Sequence, residues 1–246
     1  MVRPPEYQRT IFKRSLASPY LAHPRSLRIY VPPGYQEWLS YPVIYCQDGE
    51  QFFNFGRIAT ALTKGILEHG LDPAIIVGID VEAIHRTAEY APVGKQHQAY
   101  CHFFAEELVP WIQSQYAARP LPSERILAGD SLGATVSLHL ALDYPNLFHK
   151  LISFSGAFFS ETQDKCRSQS DLSWLTMYIL VGLHEEDIVT DRGRFDFLLA
   201  NRLTQQILEQ QKAVLCYQEQ TGTHTWGFWQ QELPHALHYF LSPPQM

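Results

Sequence analysis

A serine lies between two glycines at the junction of a predicted strand and a predicted helix. The apolar run from Ile126 to Ala128 is interrupted at Gly129, and good helix formers resume from Leu132 to Leu142, so Ser131 occupies the turn. Glycine on both sides removes side chains that would collide in such a sharp strand-to-helix turn. This Gly-x-Ser-x-Gly arrangement places the hydroxyl beyond the end of the strand, where it can attack a carbonyl carbon.

A serine hydroxyl needs a base to take its proton, and a carboxylate must orient that base. In hydrolases with this turn, the order along the chain is serine, acid and histidine, and the histidine follows the last strand. Of the eleven histidines, only His224 lies in a loop at that place. His235 and His238 fall on the predicted closing helix, where polar or packing roles are expected. Their spacing could suit a metal ion, but no carboxylate or cysteine set joins them, so no metal is expected.

Three carboxylates compete for the role of the acid. They follow Gly182, which ends a predicted strand, and the acid usually stands three positions after such a glycine. That position is Glu185, which is therefore the predicted acid. Glu186 is expected to point the other way, and Asp187 is the alternative if the turn is tighter.

The negative oxygen that forms during attack needs two backbone N–H donors. Leu132 follows the nucleophile and begins the predicted helix, so its free N–H and the positive end of the helix dipole face this oxygen. The second donor is expected from the loop after Cys46, at the backbone of Glu50. Gly49 allows the chain to turn closely there.

The residues around the serine also spell Gly-Asp-Ser-Leu, the signature of another class of esterases. In that class the block lies near the N-terminus, and an Asp-x-x-His pair near the C-terminus supplies acid and base. Here the block is in the middle of the chain, and no Asp-x-x-His occurs in the last part of the sequence. The strand-turn-helix interpretation is therefore preferred.

The elements that must position these residues are strands separated by helices. Two leading strands, from Tyr7 to Ser15 and from Ser26 to Val31, alternate apolar and polar residues and are expected to pair antiparallel at one edge. Later strands are continuous apolar runs, which are typical of parallel strands covered on both faces. The further predicted strands are 42–47, 74–79, 126–128, 150–154, 177–182 and 213–218, and the predicted helices are 56–69, 98–117, 132–142, 195–211 and 226–240.

This order predicts an α/β fold with a mostly parallel central sheet, antiparallel leading strands and helices on both faces, in a single domain over residues 1–246. Because reactive groups gather at the carboxyl ends of such strands, the serine, acid and histidine are expected to meet. Three of the segments that connect strands and helices are predicted to be loops: an aromatic loop around 52–55, a polar loop around 86–90 and a loop from Ala157 to Ser173. The last is the only predicted cover, so the cap is minimal. Pro110 should kink its helix.

The composition and charge of the chain indicate which binding partners and which cellular location are expected. The formal net charge is −6 and Lys and Arg are scattered, so neither nucleic acid nor an anionic membrane surface is an expected partner. The N-terminus has no apolar signal core, and no apolar run nears the length of a bilayer crossing. A cytoplasmic, soluble protein is expected. The dispersed cysteines, expected to be reduced packing thiols, are Cys46, Cys101, Cys166 and Cys216.

Taken together, the motifs resemble the esterase family that groups carboxylesterase D, mycolyltransferases and the enterochelin esterase-like hydrolases. The resemblance spans nearly the whole chain, and Arg86-x-x-Glu89-Tyr90-x-Pro92 is most similar to the enterochelin esterase-like branch. It implies an α/β-hydrolase fold, no cofactor and hydrolysis of a small-molecule ester through an acyl-serine. Thr-Gly-Thr-His224 departs from the commoner Gly-Gly-His. The landmarks are residues 42–50, 78–80, 86–92, 129–133 and 222–226, with Trp229.

Three residues are candidates for substrate binding. Arg86 has a planar fork that suits a carboxylate or phenolate, and the alternative is an Arg86–Glu89 pair that fixes its loop. Phe52, with its neighbour Phe53, and Trp226 are candidates for the wall of an acyl or aryl pocket, and the alternative is a role in the core. Two other functions stay open: an acyltransferase that passes the acyl group to an alcohol, and a non-catalytic binding protein with the hydrolase fold.

Overall fold

A computed structural model describes residues 9–243, so Tyr7 and Gln8 of the first predicted strand lie outside the described residues. Most of its strands form one eight-stranded sheet, in the order β1-β2-β4-β3-β5-β6-β7-β10, and β8 and β9 form a separate ribbon. The strands are β1 (Thr10–Leu16), β2 (Arg25–Val31), β3 (Val43–Cys46), β4 (Ile75–Ile79), β5 (Arg125–Asp130), β6 (Lys150–Phe154), β7 (Thr176–Gly182), β8 (Ile188–Thr190), β9 (Gly193–Phe195) and β10 (Val214–Gln220).

The pairing of the strands confirms the predicted sheet. β1 pairs antiparallel with β2, and β2 pairs antiparallel with β4. All other neighbours in the large sheet are parallel. The carboxyl ends of β5, β7 and β10 therefore open onto one edge, which is where the serine, the acidic turn and the histidine loop follow them.

Helices cover both faces of the sheet, as predicted. Successive residues of β3 point to opposite faces, so Val43 and Tyr45 join one buried cluster while Ile44 and Cys46 join the other. The helices α1, α2 and α9 pack on the second cluster, and the remaining helices pack on the first. The helices are α1 (Gly49–Asn54), α2 (Ile58–His69), α3 (Ala83–Tyr90), α4 (His97–His102), α5 (Val109–Gln115), α6 (Leu132–Asp143), α7 (Ser160–Arg167), α8 (Phe197–Gln210) and α9 (Trp226–Leu241).

Two predicted loops are helices. The aromatic segment around 52–55 forms the second half of α1. Phe52 turns inward to the core, and the N–H groups of Gln51 and Phe52 donate to the carbonyl of Asp48. The polar segment around 86–90 belongs to α3, whose last residues Glu89 and Tyr90 are buried. Both helices are short, so their periodicity is weak in the sequence.

The long predicted helix has a wider turn just before Pro110, and the kink predicted there stays a prediction. Between α4 and α5 the segment Phe103–Leu108 is a π-helix, and the Val109 N–H donates to the carbonyl of Phe104, five residues back. Because proline has no N–H and its ring collides with the preceding turn of an α-helix, the wider turn before Pro110 relieves that collision. The long helix therefore continues through the proline.

The cover of the site edge differs from the prediction. The loop from Ala157 to Ser173 contains α7, which packs against α8. The two short strands β8 and β9 form a hairpin, hereafter the 188–195 hairpin, that sequence analysis did not predict. At its tip Asp191 accepts a hydrogen bond of 3.2 Å from the Thr87 hydroxyl of α3. The hairpin thus adds to the predicted cover, because residues of both segments lie at this edge.

The cysteines are free thiols, and three of them are buried, which confirms the packing role predicted for the set. Burial raises the pKa of the Cys101 and Cys166 thiols to about 12, so they are protonated at neutral pH. Within residues 9–243, no helix combines the length and the apolar character needed to cross a bilayer.

Candidate active site

Ser131 occupies a strained turn between β5 and α6. Its φ is 53° and its ψ is −123°, a conformation that L-residues rarely adopt and that costs about 1–3 kcal/mol. Two hydrogen bonds hold it: the Ser131 N–H donates to the carbonyl of Phe154 at 2.9 Å, and the Ala157 N–H donates to the carbonyl of Ser131 at 3.0 Å. A Cβ at Gly129 would overlap the backbone of Gly133, so only glycine fits there.

His224 and Glu185 form a hydrogen-bonded pair. The distance from His224 Nδ1 to Glu185 Oε2 is 2.7 Å, and the Glu185 side chain is fully buried. A carboxylate can only accept, so Nδ1 carries the proton and donates. Nε2 of the neutral ring is then free to accept a proton from a nucleophile.

The other two carboxylates of the acidic turn point elsewhere. Asp187 is exposed and forms an ion pair with Arg194 of the 188–195 hairpin. Glu186 is exposed too. Of the three candidates for the acid, Glu185 alone contacts His224 in the part of the chain that the structure describes.

Ser131, Leu132 and His224 line one cavity of about 380 Å³. Among residues 9–243 the Ser131 hydroxyl makes no hydrogen bond, so serine and histidine share the cavity without a direct bond. Such bonds often tighten only when substrate is present. Much of the remaining wall is aromatic, formed by Phe159, Phe195, Phe197, Trp226 and Trp229, and the tip of the 188–195 hairpin adds Thr190, Asp191 and Arg192.

Two backbone N–H groups, that of Leu132 at the cavity and that of Glu50 at the start of α1, have no acceptor among residues 9–243. Leu132 is the first residue of α6, and Glu50 is the second residue of α1, so neither N–H has an acceptor within its own helix. Neither donates to any other group within residues 9–243. The Glu50 side chain turns away to Arg28, at 3.1 Å, and the side chain of the next residue, Gln51, lines the cavity.

Arg86 holds Asp48, the residue directly before α1 and two positions before Glu50. Its Nε and Nη2 donate to the two carboxylate oxygens of Asp48, each at 2.8 Å. Asp48 is buried in the left-handed conformation, with φ 51° and ψ 50°, directly before α1. The predicted Arg86–Glu89 pair is wrong, because Glu89 instead accepts from Arg25 at 2.6 Å. Arg86 also lines the cavity, so its role in substrate binding stays a prediction.

The two aromatic candidates lie at different depths. Trp226 lines the cavity, and its Nε1–H donates to the Gln51 side chain at 2.8 Å. Phe52 is fully buried and packs edge-to-face against Trp226, with ring centroids 4.8 Å apart. Phe52 therefore supports the cavity wall from behind rather than forming its surface.

Asp130, next to Ser131, is a buried carboxyl with a raised pKa. Burial is the main cause, the charge of Asp48 adds to it, and Arg86 at 4.0 Å opposes it, so the pKa is about 7. The folded protein thus keeps a proton that the unfolded chain releases near its ordinary value of 3.8. By linkage, this group makes the fold less stable as the pH rises between these values.

Replacing Asp130 with asparagine removes this titration and keeps the shape of the side chain. We expect the free energy of unfolding of Asp130→Asn, relative to that of the wild type, to rise as the pH increases from about 4 to about 7 and then to level off. Urea unfolding at a series of pH values measures this difference. A difference that does not change with pH would contradict the assignment.

Several residues of the site were missed in the sequence. Ser155 donates to Glu185, and no pattern in the sequence indicates this contact. The 188–195 hairpin was missed because each strand has three residues. A signal was present in β-branched Ile188, Val189 and Thr190 followed by a turn at Gly193, whose φ is 128°.

Within residues 9–243, no three His, Cys, Asp or Glu side chains are grouped so as to hold a metal ion. His235, which was considered for a metal, bonds to Glu232 at 3.0 Å.

The sheet order and the covering helices define an α/β-hydrolase fold, with the serine turn at the edge where that fold carries its nucleophile. The sequence matches the model of a family described as "Putative esterase" over residues 18–240. The chain belongs to this esterase family, and its enzyme class is that of the carboxylic ester hydrolases.

Relatives and solved structures agree with this fold. The uncharacterized protein YjcH of Bacillus subtilis (strain 168) is 34% identical over 230 residues, which cover 93% of this chain and 96% of YjcH. A solved ferulic acid esterase superposes with a TM-score of 0.81 at 17% identity and covers 95% of this chain and 98% of its own. The enterobactin esterase of Shigella flexneri gives a TM-score of 0.80 at 20% identity over 94% of this chain and 59% of its own.

Proposed function

We propose that the protein hydrolyses a carboxylic ester through an acyl-serine intermediate, with Ser131 as nucleophile, His224 as base and Glu185 as the residue that orients the base. The observation that carries this proposal is that Ser131 on its strained turn shares one cavity with a histidine whose Nδ1 is bonded to a buried carboxylate. Family membership supports the reaction class independently.

The proposed mechanism has two half-reactions. His224 Nε2 takes the Ser131 proton as the oxygen attacks the ester carbon, and the Leu132 and Glu50 N–H groups stabilise the oxyanion. The imidazolium then gives its proton to the alcohol that leaves. In the second half, Nε2 takes a proton from water, which attacks the acyl-serine, and the carboxylic acid is released as the proton returns to Ser131.

The proposed substrate is a small-molecule ester with an aromatic or bulky apolar group. The aromatic walls of the cavity favour such a group, and they agree with the names of the ferulic acid and enterobactin esterases. A cytoplasmic location and a single-domain organisation stay predictions from the sequence, and the sequence makes no prediction for the oligomeric state.

Covalent labelling tests the nucleophile directly. A fluorophosphonate probe should label the wild-type protein once, and peptide mapping should place the label on Ser131, because only an activated serine attacks such a phosphorus centre at a useful rate. Ser131→Ala is the matched control and should not be labelled. Labelling at another serine would show that Ser131 is not the nucleophile, and no labelling would favour a non-catalytic binding protein.

An acyltransferase would form the same acyl-serine, so labelling does not separate the two reactions. Product analysis with added alcohols does, because a transferase would release a new ester in place of the free acid. We expect the free acid to be the main product.

A further inference from the structure

The carboxylate of Glu185 is held from two directions. Oε2 accepts from His224 Nδ1, while Oε1 accepts from the Ser155 hydroxyl at 2.7 Å and from the Gly182 N–H at 2.9 Å. The side chain is fully buried, so these protein donors replace the water that would otherwise solvate its charge. One oxygen therefore faces the base, and the other is anchored.

The direction of the Ser155 hydroxyl is fixed by a third side chain. Trp229 Nε1–H donates to Ser155 Oγ at 2.8 Å, and an indole nitrogen can only donate. The Ser155 oxygen thus accepts from the tryptophan, and its own proton is directed to Glu185. The same tryptophan ring packs edge-to-face on the His224 ring, with centroids 4.9 Å apart.

The backbone of Ser155 is strained in a way that glycine would avoid. Its φ is 46°, its side chain is fully buried, and its N–H donates to the carbonyl of Leu180 at 2.7 Å. A non-glycine residue in the left-handed region costs roughly 1 kcal/mol or more, and such strain persists where the side chain has a use. In Ser155 that use is the hydrogen bond from the hydroxyl to Glu185.

We propose that Ser155 and Trp229 are positioning residues that hold the Glu185 carboxylate in the orientation in which it supports His224, so that the catalytic set extends to five side chains. This inference rests on the proposed serine-hydrolase function and adds two residues: Ser155 acts through Glu185, and Trp229 acts through Ser155 and the His224 ring. Trp229 acts at both ends of the pair, since it fixes Ser155 and contacts the ring of His224.

Steady-state kinetics with 4-nitrophenyl acetate tests the role of Ser155. Ser155→Ala should lower kcat about tenfold or more and change KM by no more than about twofold, because a hydrogen bond to a charged group is lost at a site that does not contact substrate. Ser153→Ala is the matched control. Ser153 is equally buried and lies two residues earlier, in β6, but its hydroxyl has no partner among the described residues, so kcat should not change.

A double-mutant cycle separates positioning from a structural role. If Ser155 acts through the carboxylate, adding Ser155→Ala to Glu185→Gln should lower kcat by less than about twofold beyond Glu185→Gln alone. Ser155→Gly removes the same hydroxyl and relieves the backbone, so it should match the kcat of Ser155→Ala with equal or higher stability. It also replaces the alanine variant if that variant does not fold. Trp229→Phe keeps an aromatic ring without the N–H and should give a smaller loss of kcat.

Two outcomes would overturn the inference. In the first, Ser155→Gly and Ser155→Ala have the same kcat as Ser153→Ala. In the second, the losses in kcat caused by Ser155→Ala and Glu185→Gln multiply fully in the double variant. Both leave the proposed function intact if Ser131→Ala is inactive. Activity of Ser131→Ala would instead overturn the proposed function itself.

Discussion

Replacing Ser131 with alanine should abolish ester hydrolysis, with a loss in kcat of about 10⁵-fold or more, because no other group can form the acyl intermediate. The fold should be unaffected. The hydroxyl makes no hydrogen bond among residues 9–243, and the two bonds that hold the turn come from the backbone. Hydrolysis of 4-nitrophenyl acetate measures the loss, and thermal unfolding checks the fold.

A second variant, Ser131→Gly, separates the effect on activity from the effect on stability. Glycine adopts a φ of 53° without strain, so this variant should be equally inactive but more stable than the wild type by about 1 kcal/mol. Activity would thus be lost while stability rises, as expected where strain serves function. Turnover by Ser131→Ala near the wild-type rate would show that another residue attacks the ester.

Replacing Glu185 with glutamine should lower kcat by about 10³–10⁴-fold, whereas replacing Asp187 with asparagine should change it by less than about twofold. Glutamine keeps the shape of the side chain but carries no charge to stabilise the imidazolium, and its amide can favour the wrong tautomer of His224. Asp187 is exposed and pairs with Arg194. Its substitution therefore removes only a surface ion pair, which contributes little.

The comparison is made with one ester under identical conditions, with kcat and KM determined separately. KM should change little in both variants, since neither side chain lines the cavity. If Asp187→Asn were the slower enzyme, the acid would have to be Asp187, and the hairpin would have to move to bring it to the histidine.

Much of this site could be predicted because short local sequence patterns indicate its residues. Glycines on both sides mark the turn at Ser131, and the order of serine, acid and histidine follows the order of the strands that carry them. Apolar runs such as Ile75–Ile79 identify buried strands without knowledge of their partners. These signals depend only on neighbouring residues, which is why the sequence alone sufficed for them.

The remainder depends on contacts between residues far apart in the chain. Arg86 and Asp48 are separated by 38 positions, and Ser155 and Trp229 by 74, so spacing gave no indication that either pair would meet. Helix α1 and the 188–195 hairpin are too short for a clear period, and tertiary packing determines their form.

The segment that contains the 188–195 hairpin is closed at its base by hydrogen bonds to a single residue. The chain departs after Glu185, and on its return the N–H groups of Phe197 and Leu198 donate to the carbonyl of Glu185 at 2.9 and 3.4 Å. The segment between Glu185 and Phe197 is thus a loop that is closed at its base by the backbone of Glu185. We therefore expect that the length and residues of this loop can be exchanged without displacing the Glu185 carboxylate, so that substrate preference and the proposed catalytic residues could vary independently.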